Sequence, residues 1–252
     1  MYIKCFILLA NMKIIQSFFL FLLFSIVYGC SNGTDVSSLC FEKEYYEKPL
    51  LENPSEIMFS GGSNNLSVEV SDDHVLEATI GAGKIKIKTK KNGIVYLVVK
   101  DKTENTSVTI RVKVVDSYLG LQLGHPIPNY SVYNEDDRLY LVNNKSKSFY
   151  LYDKSFNLKA TGNYKLFVKN SNFFLSLVFS DKVCFYNISN SSHDFLWGAI
   201  PTYLKFLWTN EGLTTTNARD VSPVVMTAFD LDTNNVYYFN VDSTEFPYGI
   251  LN

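Results

Sequence analysis

The run Asp230-Leu231-Asp232-Thr233-Asn234 places oxygen-bearing side chains at alternate positions, the 1-3-5 spacing with which a calcium loop surrounds one cation. The positions beyond it refuse that role. Asn235 stands where the sharp turn needs glycine, and Val241 stands where a bidentate glutamate would close the shell. Apolar β patterns flank the run on both sides, so a hairpin turn is expected and no metal. Glu135-Asp136-Asp137 and Asp72-Asp73 read in the same way as solvated turns. His74, His125 and His193 stand beside Asp73, Pro126 and Asp194 without any His-x-x-x-His pair, which makes them exposed turn residues. No G-x-S-x-G elbow, phosphate-binding glycine loop or Cys-His signature occurs. The expectation is therefore no catalytic residue and no cofactor, although carboxylates distant in sequence leave no local motif.

Two further groups could bind rather than react. Trp197 and Trp208, with Tyr150, Tyr152 and Tyr203, offer flat rings that could stack on the apolar face of a sugar, but such rings also fill the cores of small β domains. Core packing is the expected role. Tyr150 and Tyr152 alternate with Phe149 and Leu151, so one pair must face outward, and an exposed tyrosine strip is a candidate surface. Lys84, Lys86 and Lys88, followed by Lys90 and Lys91, form an ammonium array that could meet an anionic surface such as lipopolysaccharide. Protection of a solvated or edge strand explains the same lysines without a ligand.

The N-terminus has its own chemistry. Lys13 precedes an apolar run from Ile14 to Val27 that ends in Tyr28-Gly29-Cys30 and then the polar Ser31-Asn32-Gly33. Basic start, apolar run and small residue at the cut are the parts of a secretory signal, and the run is shorter than the roughly 20 residues of a spanning helix. Val27-Tyr28-Gly29-Cys30 resembles the lipobox of bacterial lipoproteins. That resemblance implies cleavage before Cys30, thioether attachment of a diacylglyceryl group to its sulfur, and stable membrane anchoring through the added chains. An ordinary cleaved signal or an uncleaved anchor are the other readings. Met12-Lys13 would open a signal of ordinary length, which makes Met12 a candidate initiator beside Met1. Cys5 would leave with the signal, and Cys40 and Cys184 lie in contexts that favour a buried free thiol at Cys184 over a disulfide.

The charge balance, 23 Lys and Arg against 25 Asp and Glu, lacks the basic surplus that a nucleic-acid partner requires. Residues 30–53 read as a tether, with no sustained apolar period. From Ile57 the pattern becomes short alternating runs between turn residues, as in Leu66-Ser67-Val68-Glu69-Val70, the mark of an all-β fold. Asn92-Gly93 signals a hairpin, and Ile94 to Val99 is apolar on both faces. Gly61-Gly62 before the Leu66 strand, Val75 to Thr79, Gly93 opening the central strand and the Val108 to Val114 alternation together resemble a bacterial immunoglobulin-like domain of the BIG2 type, over residues 57–115. The resemblance implies a β-sandwich used as a spacer, adhesion or carbohydrate-associated module, without catalytic residues. Residues 117–252 continue as an aromatic-rich antiparallel meander, with strands expected at 138–142, 148–153, 164–168, 173–179, 183–188, 224–231 and 236–241. A sandwich or small barrel accommodates them, because the hairpins are too few for a propeller of at least four blades.

The expected organisation is a signal over 1–29, a tether over 30–53, an immunoglobulin-like sandwich over 54–116 and a second all-β domain over 117–252. The expected role is noncatalytic binding or adhesion at the bacterial cell envelope, on the outer membrane through acylated Cys30, with a glycan or surface protein as partner. A carbohydrate-binding or carbohydrate-processing accessory and a structural subunit of a surface assembly are the alternatives.

Overall fold

Alternation decides the first half of the chain. In the strand Lys84–Thr89, Ile85 and Ile87 are wholly buried while the lysines between them point to water. Seven more strands accompany it: β1 (Cys40–Phe41), β2 (Tyr45–Pro49), β3 (Ser55–Ser60), β4 (Leu66–Val70) and β5 (Leu76–Gly81) precede it as β6, and β7 (Gly93–Asp101) and β8 (Thr106–Val115) follow. The computed structural model describes residues 38–124, 133–208 and 223–251. Within it these strands form two four-stranded sheets, ordered β1-β3-β6-β5 and β2-β8-β7-β4. Ile57, Leu76, Ile85 and Ile87 of one sheet share a core with Val95, Leu97, Val99, Ile110, Val112 and Val114 of the other. The expected sandwich is thus present.

Two readings of this half need correction. Residues 40–49, read as tether, supply β1 and β2; β2 runs parallel to β8, pairing Tyr46 with Val112 and Lys48 with Val114. Tyr45-Tyr46 blurs the alternation there, and the strand is held by its partner rather than by its own pattern. The lysine-bearing β6 is solvated on its outer face, as one half of its reading had it, but it is not an edge strand. It lies between β3 and β5, so its lysines cover the outer face of an interior strand.

The second half is a closed barrel of eight antiparallel strands: β9 (Tyr118–Leu123), β10 (Arg138–Val142), β11 (Ser148–Tyr152), β12 (Leu158–Lys169), β13 (Asn172–Val178), β14 (Val183–Asn187), β15 (Val225–Asp230) and β16 (Val236–Asp242). Each strand pairs with the next, and β16 returns to β9 through Val241 opposite Leu121. Eight strands enclose a space that side chains alone fill. Leu119, Leu121, Leu139, Leu141, Phe149, Leu175, Leu177, Tyr186, Tyr237 and Phe239 fill it here. Gly162 lets β12 pass close to its neighbours, since a Cβ there would lie 2.0 Å from the Val178 carbonyl oxygen and 2.7 Å from the Phe149 ring. This apolar interior differs from the polar interior of a membrane-spanning barrel. Seven of the eight strands have 5 to 7 residues, short of the roughly 9–11 that cross a bilayer.

Two segments complete the barrel. Between β14 and β15 a π-helical turn, Phe195–Ala199, runs into α1, Ile200–Leu204, and Phe195, Leu196, Ile200 and Leu204 enter the barrel core as a plug. Beyond β16 the C-terminal segment crosses the outside of β9, β10 and β11. There Phe246 lies among Tyr118, Tyr140, Tyr150 and Tyr152, with ring centroids 5.5, 4.9, 5.2 and 6.0 Å away. The segment then reaches the sandwich: the Gly249 amide donates to Glu47 at 3.0 Å and the Lys113 ammonium donates to the Leu251 carbonyl at 2.5 Å.

Candidate functional site

The aromatic residues singled out by type are structural. Trp208 is 5% exposed, donates its indole N–H to the Leu196 carbonyl at 2.8 Å, and meets Phe173 edge-on at 4.5 Å. Trp197 and Tyr203 pack half-buried on the barrel core. The tryptophans therefore fill the plug and form no sugar platform. The tyrosine strip is covered as well, because Tyr152 is buried beneath Phe246 and Tyr150 packs beside it.

Of the remaining candidates, His193 is half-buried at the start of the helical segment rather than exposed on a turn, and one further residue departs from its reading. The Asp230 carboxylate accepts the backbone amides of Asp232 and Thr233, which ties off a hairpin turn. No group of three metal-binding side chains occurs among the described residues. His74 is exposed on its turn, and His193 contacts Asp194 at 3.4 Å. His125, Cys5, Met1, Met12 and the proposed lipidation residue Cys30 lie outside the described residues. Cys40 is exposed and free; Cys184 is buried and free, and burial pushes its thiol pKa up. That further residue is Asp137, which is not a solvated turn residue. It is fully buried, paired to Lys159 at 2.5 Å, and accepts the Asn134 amide at 2.8 Å.

A different set of rings faces water. Period two sends Tyr164, Leu166 and Val168 of β12 into the core and Phe167 out; in β13 it sends Phe173 and Leu175 in and Phe174 out. Phe167 and Phe174 stand directly opposite in the ladder and stack at 5.3 Å with their planes 16° apart. Phe185 of β14 is 40% exposed and Leu231, past the end of β15, is 45% exposed. The four side chains line a groove of about 540 Å³ on the barrel wall, rimmed by Lys169, Asn170 and Asn172. Its rim is fixed by the β12–β13 turn, where Asn170 and Ser171 take φ of 49° and 59° and the Asn172 amide donates to the Asn170 carbonyl.

The chemistry this permits is recognition. The faces that the Phe167–Phe174 stack leaves open suit the C–H face of a pyranose ring, and the rim amides keep hydrogen-bonding capacity beyond the Asn172 side chain's bonds to the Asn170 carbonyl and from the Ser189 hydroxyl. Among the described lining residues Lys169 is the one titratable group. The signal for it lay in the doublet Phe173-Phe174, because two consecutive rings in a strand of period two cannot both be core.

Compared with protein-family models and with curated proteins, the chain has no match. Among solved structures it is similar to domains 5-6 of the S-layer protein SbsC, at 10% identity over 82% of this chain and 98% of that chain, with a TM-score of 0.26. That likeness is too slight to carry an argument.

Proposed function

We propose that the chain is a lipid-anchored protein of the bacterial cell envelope, held at the outer membrane through acylated Cys30, with a noncatalytic binding role exercised by the barrel. The sandwich, which resembles BIG2-type modules, is the spacer between anchor and barrel. A glycan is the ligand class that the groove chemistry fits. The observation that carries this reading is the stacked Phe167–Phe174 pair, open beside Phe185 in a groove rimmed by amides. Leaving three phenylalanines partly in water forfeits hydrophobic stabilisation of roughly 25 cal/mol for each Å² not buried, a cost that ligand binding would recover.

A glycan array probed with the full chain and with its Phe167→Ser/Phe185→Ser variant tests this reading. Selective binding by the parent that is lost in a variant of unchanged melting temperature is the expected result. Binding that persists in the variant, or no binding by the parent, rejects it. Intact mass of membrane-extracted protein tests the anchor separately, through the acyl mass at Cys30.

A second reading, a subunit joined by strand addition, is favoured by one feature. Among the described residues the two-residue β1 covers only Phe59 and Ser60 of β3, and no other strand pairs with Ser55–Met58 on that side. Concentration-dependent self-association abolished by Ile57→Pro, in a variant that still folds, would support it; a monomer at all concentrations rejects self-assembly.

A further inference from the structure

The lysines of β6 line a solvated outer sheet face. Edge protection does not explain them, because β3 and β5 flank β6 on both sides. Lys84 pairs with Glu56 at 2.8 Å and Lys90 with Glu77 at 2.7 Å. Lys86, Lys88 and Lys91 are exposed and form no ion pair among the described residues. The outer face of β3, β5 and β6, with the turn after β6, thus carries five lysines against Glu56 and Glu77, and against Asp72 and Asp73 on the adjoining turn, where the Lys90 ammonium donates to the Asp73 carbonyl at 2.8 Å. The whole chain is acidic at −2, so this surplus is a local concentration of charge. Lys205, at the end of α1, adds to it by lining the same cleft as Lys88 and Lys90, although Glu52 holds it at 3.1 Å. Met58, 62% exposed and opposite Lys84 in the ladder, gives the face an apolar tip.

The position of the face relative to the chain's start is equally telling. Cys40 stands exposed on β1, at the margin of this same sheet. Ten residues separate it from Cys30, a reach of at most about 35 Å when fully extended. The attraction of a charged surface fades beyond a Debye length of roughly 8–10 Å, so ammonium groups profit from a membrane only when a short tether brings them against it.

We propose that the lysine face of the sandwich docks on anionic lipid headgroups of the membrane that holds the anchor, so that the sandwich lies against the bilayer and the barrel projects from it. The position of the face near the bilayer rests on the lipid-anchor reading; its affinity for headgroups does not. Phosphate oxygens are the recognised chemistry, with Lys86, Lys88 and Lys91 as the unpaired donors and Met58 entering between headgroups.

The test uses the full chain carrying Cys30→Ser, which removes acylation, in flotation with phosphatidylglycerol vesicles and with phosphatidylcholine vesicles. Salt-sensitive binding to the anionic vesicles is expected, over a charge-independent background from the N-terminal apolar run. Lys86→Gln/Lys88→Gln/Lys91→Gln is expected to weaken the anionic component about fivefold per lysine, on the order of a hundredfold in all, while the corresponding arginine triple variant retains it. Equal anionic binding by the glutamine variant overturns the proposal, as does loss in the arginine variant. Displacement by inorganic phosphate at constant ionic strength would also overturn it, showing a site for the free ion. An unmodified Cys30 in exported protein would reject the anchor alone and leave the vesicle result standing.

Discussion

Phe246→Ala tests how the barrel and the sandwich are held together. The ring lies among four tyrosines within 6.0 Å, and its residue is 3% exposed. Truncating a buried phenylalanine costs about 3–5 kcal/mol, depending on how far the site collapses. Here collapse is limited, because the four rings sit on barrel strands whose ladders fix them. About 4 kcal/mol is the expectation. For a chain of this size each kcal/mol moves the melting temperature by about 2–4 °C, which gives a fall of roughly 8–16 °C. Scanning calorimetry should show it, together with separate melting of the two parts, since the same segment carries the Gly249–Glu47 and Lys113–Leu251 contacts to the sandwich. Phe246→Leu keeps most of the apolar volume and should lose less than about 2 kcal/mol. A fall below about 3 °C for the alanine variant would refute the view that this segment clamps barrel to sandwich.

Gly162→Ala should cost about 3 kcal/mol or prevent folding, because the added methyl has no room against the Val178 carbonyl and the Phe149 ring; chemical denaturation of the purified variant measures this. Hydrogen bonds from the Ser63 hydroxyl and amide, with the amides of Glu104 and Thr103, hold the Asp101 carboxyl down at about 2 from 3.8. A depressed carboxylate contributes stability that is complete above its unfolded pKa and lost as the pH falls through its folded one. Asp101→Asn should therefore melt lower than the parent at neutral pH, with the gap closing between about pH 4 and pH 2; a pH-independent gap counts against this assignment. Native alkylation should modify Cys40 readily and Cys184 only after unfolding, as peptide mass mapping will show.

Strand positions were largely legible, because Leu66 to Val70, Leu139 to Val142 and Val236 to Val241 carry their period openly. Closure of the barrel was not. It depends on β9, whose Leu119, Leu121 and Leu123 alternate but whose Gly120 reads as a strand breaker. Glycine is needed there because a Cβ would lie 2.9 Å from the Asp242 carbonyl at the seam where the barrel closes. The plug was hidden because five residues of α1 are too few to show a helical period. Core packing of Trp197, Trp208 and Tyr203 was legible, but the covering of the tyrosine strip and the open phenylalanine groove were not. Ring type suggests stacking on a ligand, but burial is set by the face of the strand and by what crosses it, and only the fold places Phe246 over Tyr152 and leaves Phe185 open.

The central claim is that the Phe167–Phe174–Phe185 groove receives a sugar ring. Saturation-transfer NMR with the strongest array ligand, paired with chemical-shift mapping on the labelled chain, tests it most directly. Transfer to the C–H face of one ring is expected, with the largest shifts at Phe167, Phe174, Phe185 and the Asn170 and Asn172 amides. Shifts centred on the plug or on the sandwich, with these residues unmoved, would contradict it.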